Sequence, residues 1–153
     1  MIKALVKKLN EKHMTISTAE SCTGGMIGAS ITSVAGASSV YNEGYITYSN
    51  DAKEKNLGVL HTTLETYGAV SKQTAIEMAD GVRKKSNADI GISVTGIAGP
   101  TGGTDEKPVG LVYIGVATKD VIQAHKFIFS GSRDDVRKST VETAIRLALD
   151  KLA

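Results

Sequence analysis

A chain of 153 residues with 41% apolar and 22% charged residues can bury one core and is ordinary in composition for a globular domain. Its net charge of +2 is spread through the sequence, and five tyrosines, two phenylalanines and no tryptophan are its only aromatics, which argues against nucleic-acid binding. No apolar run approaches the ~18 residues of a membrane span, the N-terminus has no signal-peptide cleavage region, and a single cysteine allows no internal disulfide, as expected of a cytoplasmic protein.

Ile2, Leu5, Val6 and Leu9 fall at helical spacing and predict a helix over residues 2–12. Residues 15–19 are a short strand candidate, followed by Glu20-Ser21-Cys22-Thr23-Gly24-Gly25 and a small-residue helix to about Ser33. After a turn over 36–39, the alternation at 43–48 predicts a second strand. Asn50 is placed to cap a short helix ending at Leu57, and Thr62-Thr63-Leu64-Glu65 reads as a capping box that opens another. Ala75, Met78, Ala79 and Val82 make 71–86 an amphipathic helix. A strand over 90–95 runs into a glycine-rich loop, 96–104, and two further strands, 109–118 and 121–129, meet at Lys119-Asp120. Ser132-x-x-Asp135 opens a last helix reaching Leu152. Strands alternating with helices predict a layered α/β fold, the closing strand pair makes the sheet mixed, and one domain fills residues 1–153.

Sites in such folds gather beyond the carboxyl ends of strands. Three segments rich in glycine and small polar residues lie there: 20–25, 48–53 and 95–104. At the first, a helix start offers free backbone N–H groups to an anion or developing oxyanion. Ser21 and Thr23 serve equally well as helix caps, and position alone does not separate Ser21 from Cys22 as a nucleophile. In the second, Lys53 sits in the first turn of a helix, electrostatically the wrong end for a cation. Desolvation there would favour the neutral amine that a general base requires, although most lysines so placed are solvated, like Lys55. The third segment matches neither the phosphate-loop nor the dinucleotide glycine pattern. His13, His61 and His125 lie outside all three segments, so neither a histidine triad nor a metal site is expected. Arg133 and Arg137 could hold an anionic group, with surface pairing to Asp134 or Asp135 the commoner arrangement.

Ala19-Glu20-Ser21-Cys22-Thr23-Gly24-Gly25 followed by Tyr48-Ser49-Asn50-x-x-Lys53 resembles the CinA C-terminal domain family. The pattern continues through Gly68-Ala69-Val70-Ser71, Thr95-Gly96-Ile97-Ala98-Gly99-Pro100-x-Gly102-Gly103 and Lys107-Pro108-Val109-Gly110. It covers the chain from about residue 15 to the final helix. The resemblance implies a three-layer α/β/α domain with a mixed central sheet. It also implies hydrolysis of nicotinamide mononucleotide to the carboxylate and ammonia, with Ser21 as nucleophile and Lys53 as base. On that reading Tyr48 supports Lys53 or its proton path, and backbone N–H groups of Thr23, Gly24 and Gly25 hold the oxyanion. Thr95, Gly96 and the loop through Gly99 hold the nucleotide, and Arg133 takes its phosphate. No metal or cofactor is expected; the partners are a small nucleotide substrate and a second copy of the chain, with no nucleic acid and no membrane. Longer members carry an N-terminal domain resembling molybdopterin-binding folds, whose activities do not transfer here. Thr101 stands where relatives often have aspartate, so no role is assigned to a carboxylate at that position. The alternative is a non-catalytic nucleotide-binding or regulatory module linked to competence or the DNA-damage response.

Overall fold

The strand richest in β-branched residues, Ile90–Gly96, becomes the middle of the sheet. The computed structural model describes Met1–Ala153 and runs α1 (Ile2–Lys12), β1 (Ile16–Glu20), α2 (Met26–Thr32), a 3-10 turn (Ala37–Ser39), β2 (Tyr41–Ile46), α3 (Asn50–Leu57), α4 (His61–Tyr67), α5 (Lys72–Ser86), β3 (Ile90–Gly96), β4 (Leu111–Ala117), β5 (Ile122–Ile128) and α6 (Arg133–Asp150). The five strands form one sheet in the order β2-β1-β3-β4-β5. β1 pairs in parallel with both β2 and β3, while β4 is antiparallel to β3 and to β5. The sheet is therefore mixed, as the sequence predicts, and the fold is α/β.

Every residue of β1 is buried, as is β3 up to its last residue, whereas the edge strands β2 and β5 are largely exposed. Two apolar clusters cover the faces. Leu5, Val6 and Leu9 of α1, Ile27 and Ile31 of α2 and Ala144, Ile145 and Ala148 of α6 pack with Ile92, Val94, Ile114 and Val116. On the opposite face Leu57, Leu64, Met78 and Val82, from α3, α4 and α5, pack with Ala19. α5 sits close because Gly115 has no side chain: an added Cβ there would collide with the Ala75 carbonyl.

Helix ends follow local chemistry where a local partner exists and tertiary contacts where it does not. The capping box at Ser132 and Asp135 forms as expected, with reciprocal bonds of 3.2 and 2.9 Å. The cap of α3 is Ser49 rather than Asn50, its hydroxyl accepting from the Ala52 N–H at 3.1 Å. No box forms at Thr62, because the helix is capped two residues earlier, at Leu60, and Glu77 of α5 intervenes. Its carboxylate accepts from the Leu60 N–H (2.8 Å) and the Thr63 hydroxyl (2.6 Å). The β4–β5 pair forms although Lys119-Asp120 is a poor hairpin turn. The Thr118 N–H donates to the Val121 carbonyl at 2.8 Å, and the Thr118 hydroxyl reinforces the turn by accepting the Val121 N–H at 3.1 Å.

α2 is capped from a distance. Its N-cap is Gly25, held at φ +107°, so neither Ser21 nor Thr23 is the cap. The buried Glu20 carboxylate accepts the Ile27 N–H (2.9 Å), the Gly28 N–H (3.0 Å) and the Thr23 hydroxyl (2.6 Å). Glu20→Gln turns an N–H toward one of these donors and is expected to cost about 2 kcal/mol or more, read as a lower urea midpoint.

Candidate functional site

The parallel strands end together. In register, Glu20 lies beside Ile46 on one side and Val94 on the other. The chain leaves β1 toward β2 on one side and returns to β3 on the other, so a crevice opens where the strand order reverses. Residues 21–25, 47–53 and 95–99 converge there, as the three segments rich in glycine and small polar residues lead one to expect. The last ladder bond, from the Thr47 N–H to the Glu20 carbonyl at 2.8 Å, joins the residue preceding Ser21 to the segment leading to Lys53.

Lys53 is only 1% exposed, and the expectation of a solvated lysine fails here because α3 packs against α5 and the Lys53 side chain runs into the crevice toward Ser21 and the Thr47 carbonyl. Its Nζ donates to the Thr47 carbonyl at 2.7 Å and lies 3.2 Å from Ser21 Oγ. No carboxylate forms an ion pair with it. Burial without a counter-charge lowers its pKa to about 8. The adjoining Cys22 is treated oppositely by the same environment: burial pushes its thiol up to about 11, so near neutrality it is not the thiolate that nucleophilic cysteines require.

The cavity, of about 230 Å³, is lined by Ser21, Cys22, Lys53, Thr95, Gly96 and Ala98, with Tyr48 and Arg133 at its mouth. Tyr48 is 65% exposed and lies outside β2, so it is no core residue. Arg133 pairs with neither Asp134 nor Asp135. It donates to the Gly99 carbonyl (2.9 Å) and to the Tyr48 hydroxyl (3.1 Å), spanning the mouth. Arg137 also makes no ion pair and reaches the carbonyls of Cys22 and Thr23.

Several expected residues take other positions. Thr95 lines the cavity, but its hydroxyl donates to the Ala69 carbonyl at 2.8 Å and so braces the segment carrying Ala69 and Val70. Gly99 is outside the lining and contributes the carbonyl that Arg133 holds. Thr23, Gly24 and Gly25 do not line the cavity either. The Gly24 N–H is spent on the Ser21 carbonyl at 3.0 Å and is corrected as an oxyanion donor. The N–H groups of Cys22, Thr23 and Gly25 donate to no protein acceptor. Ala98 lies in the loop expected to hold the nucleotide, whereas sequence reasoning missed Asn50, Ala69 and Val70 in the lining and the Thr47 carbonyl that orients Lys53. Tyr48-Ser49-Asn50 and Gly68-Ala69-Val70-Ser71 carried a signal for all three lining residues, since both belong to the family pattern.

Fold and site together define a layered α/β domain with a hydroxyl and an uncompensated buried amine in contact at the carboxyl ends of its parallel strands. The chain belongs to the CinA C-terminal domain family, whose family model matches residues 1–152. It is 56% identical over 144 residues to a CinA-like protein of Endomicrobium trichonymphae, a match covering 94% of this chain and 34% of that protein. The chain thus spans about a third of the length of the curated relatives it matches. Among solved structures it is similar to the competence/damage inducible protein CihA from Agrobacterium tumefaciens (43% identity, TM-score 0.92, covering 99% of this chain and 94% of that one). It is also similar to the competence or damage-inducible protein from Enterobacter asburiae (35% identity, TM-score 0.95, covering 99% and 96%). No helix is long and apolar enough to cross a membrane.

Proposed function

We propose that the chain hydrolyses the carboxamide of nicotinamide mononucleotide, releasing ammonia and the corresponding carboxylate, with Ser21 as nucleophile and Lys53 as general base. The observation that carries this reading is the 3.2 Å contact between Lys53 Nζ and Ser21 Oγ, made by a buried lysine without a carboxylate partner. With a pKa of about 8, roughly a tenth of the lysine is neutral at pH 7. The neutral amine keeps an N–H on the Thr47 carbonyl and accepts the Ser21 proton through its lone pair. Ser21 Oγ then bonds to the carboxamide carbon, and the carbonyl electrons move to oxygen, where free N–H groups of the 21–25 turn stabilise the oxyanion. As the oxyanion collapses, the C–N bond breaks and Lys53 returns the proton to the departing nitrogen, giving ammonia and a Ser21 ester. Water attacks the ester with Lys53 again as base, and the proton ends on Ser21 Oγ as the carboxylate leaves.

Arg133, reached from solvent beside Tyr48, is suited to a phosphate by its forked donors. Arg133→Ala is expected to raise KM for the mononucleotide by about 10- to 100-fold while kcat holds; unchanged kinetics would remove the role. The reaction itself is tested by incubating the folded chain with nicotinamide mononucleotide and measuring ammonia together with nicotinate mononucleotide. Equal amounts of both are expected. Binding of the nucleotide without either product would replace the amidase with a non-catalytic binding module.

A further inference from the structure

The turn that carries Ser21 is tied down by a residue the acyl transfer does not use. Arg137 donates from Nε to the Cys22 carbonyl at 3.0 Å and from Nη2 to the Thr23 carbonyl at 3.3 Å, across 115 and 114 residues of sequence. It projects from a firmly seated part of α6, between the buried Val136 and Thr140. Its guanidinium lies against Gly24, where an added Cβ would stand 3.6 Å from Nη2. It does not line the cavity.

The carbonyl and N–H of a trans peptide unit point in opposite directions. With the Cys22 carbonyl held by Arg137, the Thr23 N–H of the same unit is turned to the other side. With the Ser21 carbonyl accepting from Gly24 at 3.0 Å, the Cys22 N–H is turned in the same manner. Of these two N–H groups, that of Cys22 directly follows the nucleophile in a residue that lines the cavity, and it has no protein acceptor. A donor on the residue after the nucleophile is a recurrent way to meet an oxyanion. A cationic donor on a peptide carbonyl also polarises that unit, strengthening its N–H.

We infer that Arg137 is a positioning residue that clamps the carbonyls of Cys22 and Thr23 and so fixes the turn in which the Cys22 N–H, on the residue after the nucleophile, meets the oxyanion formed on Ser21. The inference rests on the serine–lysine amidase reading. Arg137 acts through the backbone, so its loss belongs in turnover rather than in substrate affinity or in the titration of Lys53.

The test compares wild type, Arg137→Met and Arg137→Lys as full chains in ammonia release from nicotinamide mononucleotide, with pH profiles and thermal melts. Arg137→Met is expected to lower kcat by about a hundredfold, with KM within about threefold of wild type and the pH midpoint unmoved. Arg137→Lys keeps one charged donor and recovers part of kcat. A folded Arg137→Met with wild-type kcat overturns the inference, as does a loss that appears in KM or shifts the midpoint. Should the methionine variant not fold, the lysine variant decides by the same division between kcat and KM. A wild-type chain that turns over no substrate overturns the amidase reading and this inference together, which distinguishes that failure from one confined to Arg137.

Discussion

Ser21→Ala is expected to reduce ammonia release from nicotinamide mononucleotide by at least about a thousandfold, to the level of the uncatalysed blank. The substitution removes one oxygen from a residue 8% exposed, so the fold and the binding of the nucleotide are expected to survive. Cys22→Ala is the necessary companion, because the two side chains adjoin and sequence position alone does not choose between them. A thiol held near 11 by burial contributes negligible thiolate at pH 7 to 8, so Cys22→Ala should keep most of the activity. Activity that survives in Ser21→Ala and disappears in Cys22→Ala would transfer the nucleophile to sulfur.

The second large effect is expected from Lys53→Met, again at least about a thousandfold in kcat, because no other side chain contacts Ser21 Oγ as a proton acceptor. In the wild type, kcat/KM should rise with pH and level off above about 8, the pKa at which burial holds Lys53. Stability supplies an independent reading of the same group. Between pH 8 and about 10.5 the unfolded lysine binds a proton that the folded one has released, so wild-type stability rises with pH across that window. Below pH 8 both states are protonated and the folded chain carries the full cost of the buried charge. Lys53→Met has no such term. Urea melts at pH 7 and pH 10 should therefore show wild type gaining about 2 to 3 kcal/mol on the variant. A difference independent of pH would mean that Lys53 titrates normally, and the case for a neutral base would fall with it.

What could be read from the sequence was whatever depends on neighbours in the chain. The stripe of Ala75, Met78, Ala79 and Val82 gave α5, and Ser132 with Asp135 gave the start of α6, because both are decided within a few residues. The three segments rich in glycine and small polar residues were legible as a candidate site for a topological reason, since each leaves the carboxyl end of a strand. Lys53 was not legible on its own: nothing in its flanking residues distinguishes it from Lys55, and its burial comes from the packing of α3 on α5 and from the segments that converge at Ser21 and Thr47. The caps of α2 and α4 were misread for the same kind of reason. Glu20 supplies one from seven and eight residues away, and Glu77 supplies the other from a neighbouring helix. The partners of Arg133 were beyond any local pattern, since Tyr48 lies 85 residues from it in sequence.

The bond between the Thr47 N–H and the Glu20 carbonyl has a further bearing on how the molecule fails. It closes the pairing of β1 with β2, an exposed edge strand with a neighbour on one side only. Ser21 belongs to the buried centre and Lys53 to the segment that follows the edge, so their contact is as durable as the outermost ladder. Edge ladders open at lower free energy than the centre of a sheet. Amide exchange in residues 41–47 should accordingly outpace that of β3, and mild denaturant should separate Ser21 from Lys53 while most of the sheet is still intact.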